Sequence, residues 1–196
     1  HKDAIVAVNK EDKSLAWILG DPTGWDGVDQ SYFFTPEGED FEWFYAQHNV
    51  SILDNGDIAL FDNGTAKVKR VDGDNRVSGD NVYSRAVVYQ IDTENMTVSQ
   101  VTEYGKERGA DWYSDWISGV VSLDGTQDHL WITAGSHLHS DEENSSDYYP
   151  KDMFVQGLTK TTHIDQVDNG ELSFELTISG DTYNALTYRS FRMPLY

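Results

Sequence analysis

Apolar residues recur at every second position along most of this chain, while the three-and-four spacing of an amphipathic helix is nearly absent. Turn dipeptides break the alternation at regular intervals, which predicts a succession of antiparallel hairpins. Residues 4–8 read as a strand, 9–14 as a polar turn and 15–19 as its return. The next pair, 50–53 and 57–61, is joined by Asp54-Asn55-Gly56, and Asn-Gly between alternating apolar runs is the strongest short-range hairpin signal. Further pairs follow at 84–91 with 97–104, at 117–123 with 129–134 around Asp124-Gly125, and at 161–166 with 171–178 around Asp168-Asn169-Gly170.

Two hairpin types return in order. An inner type occurs at 51–63 and again at 121–135, and an outer type with an acidic turn occurs at 6–19, 87–104 and 162–178. The repeat distance, taken from Leu60 to Ile132 and from Ile91 to Ile164, is roughly 70 to 80 residues. An inner and an outer hairpin together make a sheet of four antiparallel strands, which is the signature of a β-propeller blade. About two and a half blades fit in 196 residues, fewer than the usual minimum of about four for a closed ring. A β-sandwich is the alternative. The chain opens on His1-Lys2-Asp3 without an initiator Met and enters an alternating run at once, which predicts a chain cut from a longer one, any targeting signal lying outside it. Residues 141–151 read as a polar loop over one face.

Composition narrows the partners. Fourteen basic against 34 acidic residues give a formal charge of −20, and such a surface repels phosphate backbones and anionic lipid. Nucleic acid and membrane are therefore not expected partners, and no apolar run approaches the roughly 18 residues of a membrane-spanning helix. Aromatics at 13% argue against disorder. The absence of Cys removes disulfides, thiolate metal sites and Cys nucleophiles together.

The remaining chemistry rests on His, carboxylates and a few Arg. His48 precedes an inner strand, where an imidazole can face a propeller's channel, and it equally suits a structural His at a strand end. His137 and His139 flank Leu138 after another inner strand. Residues i and i+2 of an extended chain share a face, so both rings could enter one site. That geometry suits a zinc or iron site with Asp141 as third ligand, or a nucleophilic His beside an orienting one. His129 and His163 stand in turn or outward contexts and are expected to be structural. Arg85 opens an apolar run and could bind an anion at a strand mouth, or form a surface ion pair.

Several short segments then occur in a telling order: Trp17-Ile18-Leu19-Gly20-Asp21-Pro22 with Gly24-Trp25, Gln47-His48, Phe61-Asp62-Asn63-Gly64, Tyr83-Ser84-Arg85-Ala86 and Glu103–Gly109. With the ending Tyr188-Arg189-Ser190-Phe191-Arg192-Met193-Pro194-Leu195-Tyr196, this string resembles the C-terminal half of the bacterial arylsulfotransferases, the PAPS-independent aryl-sulfate sulfotransferases. The resemblance implies that residues 1–196 are the C-terminal part of a single β-propeller domain, about half of a six-bladed ring, whose N-terminal blades are missing here. It implies that a His takes a sulfuryl group from an aryl sulfate and passes it to a phenol, with no cofactor. His48 matches a family active-site His, and the nucleophile falls at His137 or His139, His137 being preferred. His1 matches a further family His, and Lys67 or Arg70 stands where the family uses an Arg after the Asp-Asn-Gly turn, Arg85 being the better-matched Arg. Trp25, Trp112 and Tyr113 are candidates for stacking on aryl rings, or for core packing. A periplasmic or secreted location follows from the resemblance, which leaves a homodimer open. The competing functions are a metal-dependent hydrolase using His137, His139 and Asp141, and a non-catalytic propeller that serves as an interaction surface.

Overall fold

The computed structural model describes residues 3–64, 83–139, 159–180 and 185–193. Their secondary structure is nearly all β, with only short 3-10 turns at Gln30–Tyr32 and Lys106–Trp112. Strands β1 (Ala4–Val8) and β2 (Leu15–Gly20) form a two-stranded hairpin. A five-stranded sheet contains β3 (Thr35–Glu37), β4 (His48–Ile52), β5 (Ile58–Asp62), β6 (Arg85–Asp92) and β7 (Thr97–Tyr104) in the order β3-β7-β6-β5-β4. A four-stranded sheet contains β8 (Gly119–Ser122), β9 (His129–His139), β10 (Thr159–Asp168) and β11 (Glu171–Ile178) in sequential order.

All five hairpins expected from the alternation form, and each larger sheet joins one inner hairpin to one outer hairpin. The turns obey local chemistry. Asn169 and Gly170 both take positive φ, 52° and 82°, as a two-residue turn between right-twisted strands requires. The strand β3 is a difference from the expectation of purely four-stranded antiparallel sheets. It pairs in parallel with Thr97–Ser99 of β7, and three residues carrying Pro36 leave no alternation to read.

Burial stacks the three sheets. Strand β5 is buried along its whole length, so the five-stranded sheet is covered on both faces. On one face Leu60, Val87, Tyr89 and Val98 pack with Leu19, Phe34 and Phe44, and Ile5 and Trp17 of the β1–β2 hairpin close that side. On the other, Ala59, Phe61, Ala86 and Val88 meet Val120, Leu130, Ile132 and Ala134 of the four-stranded sheet around Trp112. Burying each such branched or aromatic side chain contributes about 1.5–3 kcal/mol. No closed sheet is found among the described residues. The segment that follows Trp112 is pinned between the two larger sheets, and the candidate site is built on it.

Candidate functional site

Strand β4 begins with a bulge. His48 pairs with Phe61 and Ser51 with Ala59, so Asn49 and Val50 together oppose Leu60. Strand β9 carries another near its end, where Gly135 and Ser136 oppose Thr162 between the pairs Ala134–His163 and His137–Thr161. A bulge shifts the alternation by one residue and re-aims the side chains beyond it. Residues paired across a ladder share a face. His48 therefore emerges beside Phe61, and His137 beside Thr161 and His163, on the faces that enclose the shared core.

Both imidazoles are held by the connection from Tyr113 to Ser118. His137 is 4% exposed, and its Nδ1–H donates to the Tyr113 carbonyl at 2.9 Å. A carbonyl only accepts, so Nδ1 carries the proton and Nε2 carries the lone pair in the neutral ring. His48 is half-buried, and its Nδ1 lies 3.1 Å from the Ala46 carbonyl and 2.7 Å from Asn63 Oδ1. Asn63 has its amide orientation fixed, because its Nδ2 donates to the carbonyls of Ser114 at 2.7 Å and Ile117 at 3.1 Å. His48 thus takes the same tautomer as His137, and both rings are tied through one linker to neighbouring carbonyls. Ile117 and Ser118 hold φ of 53° and 89°, and a β-branched residue in that region is a true outlier, of the kind that clusters at functional sites.

The bulge amides are satisfied by side chains from the same connection. Gly135 N donates to Ser118 Oγ and Ser136 N to Ser114 Oγ, each at 3.0 Å. Around them lies a buried polar cluster: Lys160 Nζ contacts both Asp115 carboxylate oxygens at 3.2 Å and Ser136 Oγ at 2.8 Å. Burial lowers the Lys160 pKa, and Asp115 opposes that shift. His163 packs edge-on against His137, with ring centroids 5.6 Å apart at 67°. Beyond it Asp165, fully buried beside Glu175, has its pKa raised to about 6 by burial, while Arg108 at 2.8 Å pulls it down.

Several sequence expectations need correction. Arg85 is no anion clamp here: it is fully buried, and its guanidinium is spent on Asp62 at 2.9 Å, Gln100, Glu103, the Tyr89 hydroxyl and the carbonyls of Glu42 and Trp43. Burial opposes its charge, but Tyr89, Asp62 and Glu103 more than restore it, and its pKa is raised. It fastens residues 42–43, on the approach to His48, to the sheet. Trp112 is fully buried in the shared core and Tyr113 is 3% exposed, so both pack rather than wait for a ring, and Trp25 stands edge-on to Phe33. His163 is not merely a turn residue, since it touches His137.

His139 ends β9, and its side chain lies outside the described residues, as do His1, Lys67, Arg70 and Asp141. Among the described residues no cluster of three His, Cys, Asp or Glu side chains could hold a metal ion. Asn63, Ser114, Asp115 and Lys160 were not legible in the sequence as site residues. Their roles come from contacts across 15 or more positions, and the one local signal was the Gly135-Ser136 pair interrupting an alternating strand.

The sequence model of the arylsulfotransferase (ASST) family matches residues 1–189. The arylsulfate sulfotransferase AssT of Escherichia coli O6:H1 is 31% identical over 197 aligned positions, covering 91% of this chain and 30% of that protein. The protein of the same name from Lelliottia amnigena is 27% identical over the same shares. The chain thus spans about 30% of the length of the curated relatives it matches. With the family model covering nearly its whole length, the chain belongs to the arylsulfotransferase family.

Proposed function

We propose that residues 1–196 form the C-terminal part of a β-propeller and supply part of the site that moves a sulfuryl group from an aryl sulfate to a phenol. The observation that carries the reading is the pair of imidazoles, His48 and His137, anchored through Nδ1 to one strained connection. The return of an inner and then an outer hairpin within each of the two larger sheets supports the propeller.

His137 acts as the nucleophile. Its Nε2 attacks sulfur, an N–S bond forms as the S–O bond to the aryl oxygen breaks, and the electron pair leaves with that oxygen. The Tyr113 carbonyl holds the Nδ1 proton and so stabilises the positive charge that the ring gains when Nε2 is sulfonated. His48, entering the step as the imidazolium, gives its Nε2 proton to the departing phenolate, and the neutral ring that results takes a proton from the incoming phenol as that oxygen attacks sulfur and the N–S bond breaks. Lys67, Arg70 and His1 are the candidates for holding the sulfuryl oxygens, since Arg85 is committed to the fold. His139 remains the alternative nucleophile, two positions along β9.

A turnover assay with 4-nitrophenyl sulfate tests the reading. Release of 4-nitrophenol should accelerate on adding a second phenol, follow ping-pong kinetics, and persist in the presence of EDTA. Turnover that depends on a metal, or that is indifferent to the phenol, contradicts it.

A further inference from the structure

The buried cluster beneath β9 has no part in the chemistry described so far. Lys160 and Ser136 are fully buried and Asp115 is 3% exposed. Ser136 Oγ donates to Asp115 Oδ1 at 2.6 Å and accepts from Lys160 Nζ at 2.8 Å, so the three side chains close a ring of contacts. An apolar trio of similar volume would serve stability as well or better, because burying two charges costs more than their attraction commonly returns. The cluster therefore calls for a reason other than stability.

Its connections supply one. Lys160 pairs with Leu138 and Thr161 with His137, so the Lys160 side chain leaves the sheet on the face opposite the imidazole. It does not reach a group bound at His137 from there. Ser136, however, is the residue before His137 and forms half of the bulge that aims the ring. Asp115 stands two residues after Tyr113, whose carbonyl fixes the ring's tautomer, and next to Ser114, whose Oγ accepts from Ser136 N. One ring of contacts thus ties the strand that carries the imidazole to the segment that carries its acceptor.

We infer that the Lys160–Asp115 ion pair, bridged by Ser136, is the positioning device for His137: it sets the register of the bulged strand against the 113–118 connection. This rests on the reading of His137 as the sulfuryl acceptor. A displacement of about 1 Å at a reacting group can cost about 100-fold in rate.

The test uses the longest natural chain that carries these residues. Lys160→Met with Asp115→Asn removes both charges at nearly constant volume and spares the imidazole. The double variant should melt close to the wild type, while single-turnover transfer of sulfuryl from 4-nitrophenyl sulfate onto the protein falls about 10- to 100-fold with donor KM changed far less. Lys160→Met alone, which strands a buried carboxylate, should melt well below both. A well-folded double variant that transfers at the wild-type rate overturns the inference. Should the double variant fail to fold, Ser136→Ala cuts the bridge and keeps the ion pair; it should slow transfer with KM nearly unchanged, and wild-type transfer there overturns the inference as well. If the wild type itself acquires no sulfuryl group on the peptide bearing His137, the nucleophile reading has failed. If it does, and the variants match it, only the positioning role has failed.

Discussion

The ring nitrogen of His137 that meets Tyr113 carries a proton because a carbonyl can only accept, and the Asn63 amide imposes the same tautomer on His48. At this scale the site is a matter of which ring nitrogen carries the proton. Both Nε2 atoms bear lone pairs in the neutral rings, which is what a nucleophile and a proton acceptor need. Asp165 makes a separate prediction. Its folded pKa of about 6 lies above the ordinary 3.8, chiefly through burial. The stability tied to its protonated form is therefore complete below about pH 4 and is lost as pH rises through about 6. Urea unfolding between pH 4 and pH 8 should show the wild type losing stability relative to Asp165→Asn, by on the order of 3 kcal/mol across that window. Parallel profiles would show that Arg108 has already offset the cost of the buried charge.

Elements explain why these residues meet. Alternation and Asn-Gly turns are local, so the five hairpins could be read from the sequence, and the order of inner and outer types anticipated how they share sheets. Strand β3 could not be read, being three residues with a Pro, and the two bulges announce themselves only through pairings with distant strands. Arg85 shows the opposite error. Its place at a strand mouth suggested an anion site, and only the fold reveals that Asp62, Glu103 and two carbonyls converge on it. His48 and His137 stood out in the sequence as candidates, whereas the connection that holds their rings was not legible there. The bulge in β9 also has a steric requirement: a Cβ on Gly135 would run into the Thr187 carbonyl. Gly135→Ala should destabilise by about 1–3 kcal/mol, read as a lower urea midpoint, and should slow transfer as the strand shifts. Unchanged stability would mean that the segment around Thr187 is free to move aside.

Over the whole molecule, charge and stacking set the terms. A formal charge of −20 makes the folded chain repel itself, and it also repels an anionic sulfate ester. Raising NaCl from about 10 mM to about 0.5 M shortens the Debye length several-fold. Tm should therefore rise with salt, since repulsion among 34 acidic residues outweighs the few exposed ion pairs that screening weakens. A falling Tm would indicate that those pairs dominate. On the proposed reading, cations must overcome that field to bind the donor, and Arg85, committed to Asp62 and Glu103, is not one of them.

The most direct measurement is peptide mass spectrometry after a brief pulse of 4-nitrophenyl sulfate without acceptor. An acid-labile adduct of about one SO₃ should appear on the peptide carrying His137, be lost when phenol is added and be absent from His137→Asn, whose amide cannot form the covalent intermediate. The same variant should keep its fold, as judged by circular dichroism. An adduct on a Tyr hydroxyl, or turnover that survives His137→Asn, would contradict His137 as the sulfuryl acceptor.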